Sequence, residues 1–307
     1  MIKKKNNKNG TVTRTFGSSN RENHDSSLFY SRKMYSSNQN TPPSEYIERI
    51  VPNAVLDEVH CIDSRNMSII PNESVHLMVT SPPYNCGKEY DENLDLSEYR
   101  ALLYDVFKEV YKKLVNGGRA CINIANLGRS PYIPLHSYLI QDMLEIGYLM
   151  RGEIIWQKAI RAGGSTAWGS WMSATNPILR DVHEYILIFS KNNWKLPRNE
   201  KNNTISRDQF MEYTTSIWNF SPESAKKIGH PAPFPEELPN RAIQLYTFEG
   251  DVVLDPFCGS GTTCVAAQQS NRHYIGFDID ETYVKLAKER ISRLNKYENV
   301  PVLSQDS

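Results

Sequence analysis

The sequence predicts an α/β fold in which a mostly parallel sheet is doubly wound, with helices on both faces. Three observations lead there. Short apolar runs such as SVHLMVT (Ser74 to Thr80) and DVVLD (Asp251 to Asp255) have strand length and stop at proline or glycine turns. Segments of helical periodicity lie between such runs, so strand and helix alternate along the chain. The runs are apolar throughout, as in strands covered on both sides.

In chain order, residues 1–45 form a tail. Up to about residue 21 it is rich in Lys, Arg, Asn, Ser and Gly, a composition that predicts mobility. Its charges either touch phosphates or are simply solvated. HDSSLFYSRKMY is too apolar for pure linker, and regular alternation begins at Tyr46. The strand SVHLMVT is halted by Ser81-Pro82-Pro83. A periodic helix runs from about Leu96 to Leu114 and stops at Asn116-Gly117-Gly118. There follow the strand ACINIA, a loop through Gly128 and Pro131, a helix near Leu135 to Ile146, and the strands GEIIW and HEYILIF (His183 to Phe189). Periodicity breaks down between Lys191 and about Lys227. From about Pro235 come the helix EELPNRAIQLYTF, the strand DVVLD, a Gly-rich turn, a helix to about Gln269, the strand HYIGF and a last helix from about Glu281 to Leu294.

Composition limits the function classes. The chain has 307 residues, 39% apolar and 23% charged, enough for a substantial core. No apolar run approaches the roughly 18–20 residues that span a bilayer. The basic start (Lys3, Lys4, Lys5, Lys8) leads into no apolar stretch, so it is not a secretory signal, and a cytoplasmic location is expected. Cys61, Cys86, Cys121, Cys258 and Cys264 suggest neither a disulfide framework nor a metal site, and buried reduced thiols are expected. Formal net charge is zero, so a nucleic-acid partner must be argued from where the charges sit.

Two segments carry chemistry. In the first, Asp255-Pro256-Phe257-Cys258-Gly259-Ser260-Gly261-Thr262-Thr263 follows a strand and opens a helix. Glycines allow close backbone approach, and free N–H groups at a helix start attract an anion such as a carboxylate. A phosphate loop needs Lys after its last Gly, where Thr262 stands. The next strand ends in Asp278, placed to grip a ribose diol. Asp280 is assigned the helix cap. The second segment, Thr80-Ser81-Pro82-Pro83-Tyr84-Asn85, lies at the carboxyl end of a strand, where open sheets bind ligands. The prolines fix its backbone, and Tyr84 offers a flat face for a planar ring. An ordinary Pro-Pro turn capped by an aromatic is the competing reading.

TSPPYN resembles motif IV, and DPFCGSGTT resembles motif I, of the amino-methylating DNA methyltransferases. Motif IV comes first, an order similar to the beta class of that family. The resemblance spans about Asp63 to Leu294. Asp63 matches the Gly-Asp before motif IV, although Ile62 replaces the glycine, and HPAPFPEELPNRAIQLYT (His230 to Thr247) resembles motif X. NIANLGR and AWGSW resemble segments of cytosine-N4 members. The resemblance implies a seven-stranded, Rossmann-like methyltransferase sheet with permuted motif order, and S-adenosyl-L-methionine as cofactor. It implies cofactor contacts at Asp63, Asp255, Pro256, Phe257, Gly259, Ser260, Gly261, Thr262, Thr263 and Asp278, with catalysis at Ser81, Pro82, Pro83 and Tyr84. Ser81 Oγ and the Pro82 carbonyl would hold an exocyclic amine, with Tyr84 stacked on a base rotated out of double-stranded DNA.

Ser81 in place of Asp favours cytosine N4 over adenine N6. The implied layout is a catalytic half over 46–190, a target-recognition insert over 191–228, a cofactor half over 229–296 and a tail over 297–307. Lys195, Arg198, Lys201 and Arg207 are the insert's candidate DNA contacts. A long solvated loop is the other reading, and Arg161–Arg180 is expected to share the task. A restriction endonuclease acting on the same site is a possible companion. Methylation of adenine, RNA or protein glutamine, and an inactive DNA-binding protein on this fold, stay open as alternatives.

Overall fold

The computed structural model describes residues 32–38, 43–84, 94–158, 169–223 and 234–298. The chain divides into two compact units, Met1–Pro43 and Ser44–Ser307. The described part of the first is a 3₁₀ turn, Lys33–Asn38. The second carries strands β1 (Glu58–Cys61), β2 (Val75–Thr80), β3 (Leu114–Ile124), β4 (Leu127–Gly128), β5 (Tyr132–Ile133), β6 (Tyr148–Gln157), β7 (His183–Lys191), β8 (Ile217–Asn219), β9 (Val252–Asp255) and β10 (His273–Asp278). Its helices are α1 (Leu96–Lys113), α2 (Leu135–Ile146), α3 (Arg207–Tyr213), α4 (Glu237–Tyr246), α5 (Thr262–Gln269) and α6 (Glu281–Glu298). Among the described residues no helix is long and apolar enough to cross a membrane.

The main sheet has the order β1-β10-β9-β2-β3-β7-β6-β8. β1, β10, β9, β2 and β3 are parallel, and β7 is antiparallel to both its neighbours. The expected seven strands are joined by an eighth, β8, a three-residue edge strand beside β6. Residues on successive positions go to opposite faces, the period of two that a strand imposes. Leu77, Val79, Cys121, Ile186 and Val253 join the core under α4, α5 and α6. Met78, Ala120, Ile122, Leu187 and Leu254 join the core under α1 and α2.

Helix α1 starts on a capping box, in which the Asp95 side chain accepts from the Ser97 and Glu98 amides and Glu98 returns a bond to the Asp95 amide. Tyr99, Leu103, Val106, Phe107 and Val110 form its buried stripe. The expected stop at Asn116-Gly117-Gly118 takes a different form. The helix ends at Lys113, and these residues form an irregular stretch inside β3, where Val75 pairs with Leu114 but Leu77 pairs with Arg119. Gly117 sits at φ 92° there, with the backbone of Lys195 packed against it. The residues between Lys191 and Ile217 are anchored by Arg241 of α4. Its guanidinium pairs with Glu212 and Glu237 and lies over the rings of Tyr213, Trp218 and Phe220.

Candidate active site

After β9 the chain winds toward β10, and after β2 it winds the other way toward β3. β9 and β2 are neighbours, so the winding reverses between them, and the carboxyl ends of both strands face the resulting crevice. The two motif segments are therefore brought together. Thr80 Oγ1 donates to Asp255 Oδ1 at 2.6 Å, with both residues buried. Residues 175 apart in sequence close one site.

On the β9 side, Gly261 caps α5 at φ 81°, a conformation that favours glycine, and a Cβ there would lie 2.9 Å from Ala287 Cβ. Gly276 leaves room for the Cys258 and Cys264 thiols, which touch at 3.5 Å. Cys121, Cys258 and Cys264 are buried, whereas Cys61, the last residue of β1, is exposed. The buried-thiol expectation is corrected there, because β1 is an edge strand. Asp278 Oδ2 accepts from the Gly259 amide at 2.8 Å and Oδ1 from the Asp280 amide at 3.0 Å, so this carboxylate braces the glycine turn. A carboxylate accepts about four hydrogen bonds, leaving capacity for a diol. Asp280 Oδ1 accepts from the Thr282 amide at 2.7 Å, a helix-capping bond.

The hydroxyls of this segment are committed away from the crevice. Arg290 holds Ser260 and Thr262, and Thr263 Oγ1 donates to Val79 O. What these positions offer a ligand is backbone. Phe257 is partly buried, edge-on to Phe107 at 6.4 Å, and the Pro256 carbonyl accepts from Ser64 Oγ at 2.5 Å. That bond draws the turn after β1 into the site. Asp63, in the same turn, is half exposed and clasped by Arg65, which holds its carboxyl below the usual range.

Asp255 is the unusual group. Burial pushes its pKa up to about 6, against the Thr80 hydroxyl and the Phe257 amide, which donate to it and pull it down. Thr263 is near enough to lower it, but its hydroxyl is spent on Val79, and Oδ2 has no hydrogen-bond partner among the described residues. A buried, unpartnered carboxylate oxygen suits a cationic ligand.

On the β2 side, Pro82 is buried and Ser81, Pro83 and Tyr84 are partly buried. Ser81 Oγ lies 3.1 Å from Tyr84 Oη, which donates to Glu184 Oε2 at 3.1 Å. Asn123 Nδ2 reaches Glu184 Oε2 at 2.6 Å and Tyr84 Oη at 3.0 Å, and Lys158 Nζ pairs with Glu184 Oε1 at 2.5 Å. Burial and the Glu184 charge hold the Tyr84 phenol well above its usual range. Asn123 opens the NIANLGR segment, whereas Lys158 and Glu184 belong to no motif. They meet because β3, β6 and β7 place the relevant strand ends side by side, with Ile124 against Tyr185 and Gln157 against His183.

The basic stretch after β7 is placed elsewhere. β7 runs from the catalytic edge to the opposite one, so the residues following Lys191 start far from the crevice. Arg119 Nη2 donates to Trp194 O, and Arg198 Nε donates to Lys201 O. Lys201 Nζ is held by Glu48 and Asp251 at 2.8 Å each, beside the buried His76. Arg207 opens α3 shortly after Thr204, which is bonded to Gln244 and Arg272. The structure does not bring Lys195, Arg198 or Lys201 to the site, and Lys201 is consumed by an internal ion cluster. The β6–β7 connection does emerge at the catalytic edge. Its described part, residues 169–182, exposes Trp171, Met172 and Leu179 and is tied down by Arg129 through Leu179 O and Asp181. Asn85, residues 159–168 and residues 224–233, with Lys226, Lys227 and His230, lie outside the described residues.

A glycine turn opening a helix, facing a Ser-Pro-Pro-Tyr loop across the reversal point of a doubly wound sheet, is an arrangement suited to a group-transfer enzyme of the methyltransferase class. Comparison with known proteins narrows this. The DNA methylase family model for N6 and N4 amino-methylating enzymes matches residues 75–289. The type II methyltransferase M.MjaI of Methanocaldococcus jannaschii is 33% identical over 276 residues, covering 75% of this chain and 89% of that protein. TTHA0409 of Thermus thermophilus, described as a DNA modification methylase and solved with S-adenosyl-L-methionine, is 31% identical with a TM-score of 0.63. That match covers 77% of this chain and 93% of that one. The cytosine-N4-specific PvuII DNA methyltransferase shares the fold at 22% identity, with a TM-score of 0.60 over 78% of this chain and 90% of that one. The chain belongs to the DNA methylase family.

Proposed function

We propose that this protein is a site-specific DNA methyltransferase that modifies the exocyclic N4 amine of cytosine in double-stranded DNA, with S-adenosyl-L-methionine as methyl donor. The observation that carries the reading is the buried Thr80–Asp255 bond, which fixes Ser81 beside the glycine turn. The cofactor fits the residues present. The buried Asp255 carboxylate puts negative charge behind the turn, where it favours a nearby cation, Asp278 has acceptor capacity for a ribose, and the one side chain of the Gly259–Gly261 turn, Ser260, is held by Arg290. When bound, the cofactor supplies an electrophilic methyl group and departs as a neutral thioether.

The protein's own share is positioning. The lone pair of an aromatic amine is delocalised into its ring, and hydrogen bonds from its two hydrogens to Ser81 Oγ and the Pro82 carbonyl favour a pyramidal, nucleophilic nitrogen. Ser81 stands where adenine-modifying enzymes are expected to carry Asp, which supports cytosine. DNA is expected to approach the catalytic edge, where the segment 169–182 lies. The exposed Trp171, Met172 and Leu179 are suited to contacts with unstacked bases. Residues 46–190 and 229–296 serve as the catalytic and cofactor halves. The type II relatives favour a restriction–modification role in the cytoplasm of a prokaryotic cell, alongside an endonuclease of the same specificity.

The test is to incubate the protein with unmethylated DNA and labelled cofactor, digest to nucleosides and identify the product by mass. N4-methylcytosine is expected. N6-methyladenine would overturn the choice of base, and no label in any DNA would favour an inactive DNA-binding protein.

A further inference from the structure

Beneath the Ser-Pro-Pro-Tyr loop lies a polar chain whose hydrogen-bond direction is fixed by one group. Glu184 is 8% exposed and Asn123 is 2% exposed. An ionised carboxylate only accepts hydrogen bonds. Lys158 Nζ, Asn123 Nδ2 and Tyr84 Oη, all within 3.1 Å of its oxygens, must therefore all donate. The single phenolic hydrogen of Tyr84 is then committed to Glu184, so Tyr84 Oη is an acceptor toward both of its other neighbours, Asn123 Nδ2 at 3.0 Å and Ser81 Oγ at 3.1 Å. The Ser81 hydrogen then points to Tyr84, and the Asn123 Nδ2 contact to Ser81 Oγ at 3.4 Å falls on a lone pair. What Ser81 Oγ presents to the crevice is lone pairs, the form that can take a hydrogen bond from an amine and cannot oppose it with a second donor.

We infer that Glu184 is a positioning residue for methyl transfer. Through Tyr84 it holds Ser81 as an obligate acceptor, and it terminates the chain along which the proton shed by the amine leaves. The inference rests on the function proposed above. In that step the amine nitrogen uses its lone pair for the new N–C bond and gives one proton to Ser81 Oγ. The Ser81 proton passes to Tyr84 Oη and the Tyr84 proton to Glu184 Oε2. The base ends neutral, both hydroxyls are restored, and the carboxylate ends as a carboxylic acid that later releases its proton to solvent. A glutamine at 184 has the same shape but can donate as well as accept. The direction of the chain is then lost, although its packing is kept.

The experiment compares wild type, Glu184→Gln, Tyr84→Phe and the double variant in single-turnover methylation of unmethylated genomic DNA, with cofactor affinity measured separately by calorimetry. Each single variant is expected to slow transfer by about 10²-fold, the scale of one lost positioned hydrogen bond. Cofactor affinity is expected to stay within about threefold, below the ~1 kcal/mol that an ordinary hydrogen bond contributes. The double variant is expected to be no slower than the slower single, because residues acting as one chain are not additive. Full activity of Glu184→Gln, or losses that multiply in the double variant, would overturn the inference. If Glu184→Gln does not fold, as absent cofactor binding would reveal, a Tyr84→Phe enzyme at wild-type rate overturns it equally. Wild type that labels no DNA would refute the proposed function instead, so the two failures are distinct.

Discussion

Replacing Thr80 with valine removes one of the buried side-chain hydrogen bonds that join the two halves of the site and changes little else. Valine matches threonine in shape, so no cavity opens, and both ends of the bond are buried. At 2.6 Å the hydroxyl donates to a carboxylate oxygen that also accepts from the Phe257 amide at 3.1 Å. Hydrogen bonds to charged groups contribute about 1.5–3 kcal/mol. A unit of this size shifts by about 2–4 °C per kcal/mol, so Tm is expected to fall by roughly 3–12 °C. The carboxyl of Asp255, already pushed up to about 6 by burial, loses a donor that pulls it down and is held still higher. Cofactor affinity is therefore expected to weaken more at pH 6 to 7 than at pH 8, since a protonated carboxyl offers no charge to a cation. Thermal unfolding and calorimetry at the two pH values measure both effects. A Thr80→Val protein with unchanged Tm and unchanged affinity would refute the claim that this bond closes the site.

Further outcomes follow from the same geometry. Ser81→Ala is expected to slow single-turnover methylation by about 10²–10³-fold with cofactor affinity little changed, and an unaltered rate removes Ser81 from the mechanism. Asp278→Ala is expected to weaken cofactor binding by about tenfold or more, because a carboxylate bracing the Gly259 amide is lost along with a diol acceptor. Calorimetry at wild-type affinity rejects that role. In wild type, cofactor affinity is expected to be full above pH 6 and to fall by up to about tenfold per pH unit below it, as Asp255 takes up a proton that competes with the cation. Stability of the ligand-free protein runs the other way. The folded state raises this pKa and so binds more protons than the unfolded chain, and stability declines as pH rises through about 6. Asp255→Asn is expected to flatten both profiles, and a pH-dependent affinity that survives the substitution assigns the titration to another group.

The sequence by itself determined the alternation of strands and helices, because a strand covered on both faces must be apolar throughout and a helix with one covered face must be periodic. It also determined the chemistry of the two loops, since Ser-Pro-Pro-Tyr and the Gly259–Gly261 turn act through local backbone constraint that neighbouring residues encode. Elements with little local signal were not legible. β1 buries only Val59 among its four residues, α3 has seven residues, and β8 has three. Each is held by tertiary partners, such as Asp278 against Cys61 and Arg241 over Trp218. Only the tertiary structure decided which edge of the sheet each loop reaches. The direction of β7 sends the basic residues after Lys191 to the far edge, where Lys201 pairs with Glu48 and Asp251, and leaves the segment before β7 at the catalytic edge of the sheet. The same antiparallel pairing sets Glu184 under Tyr84. Strand direction depends on contacts between residues far apart in the chain, and no local pattern of charges or apolar residues contains it.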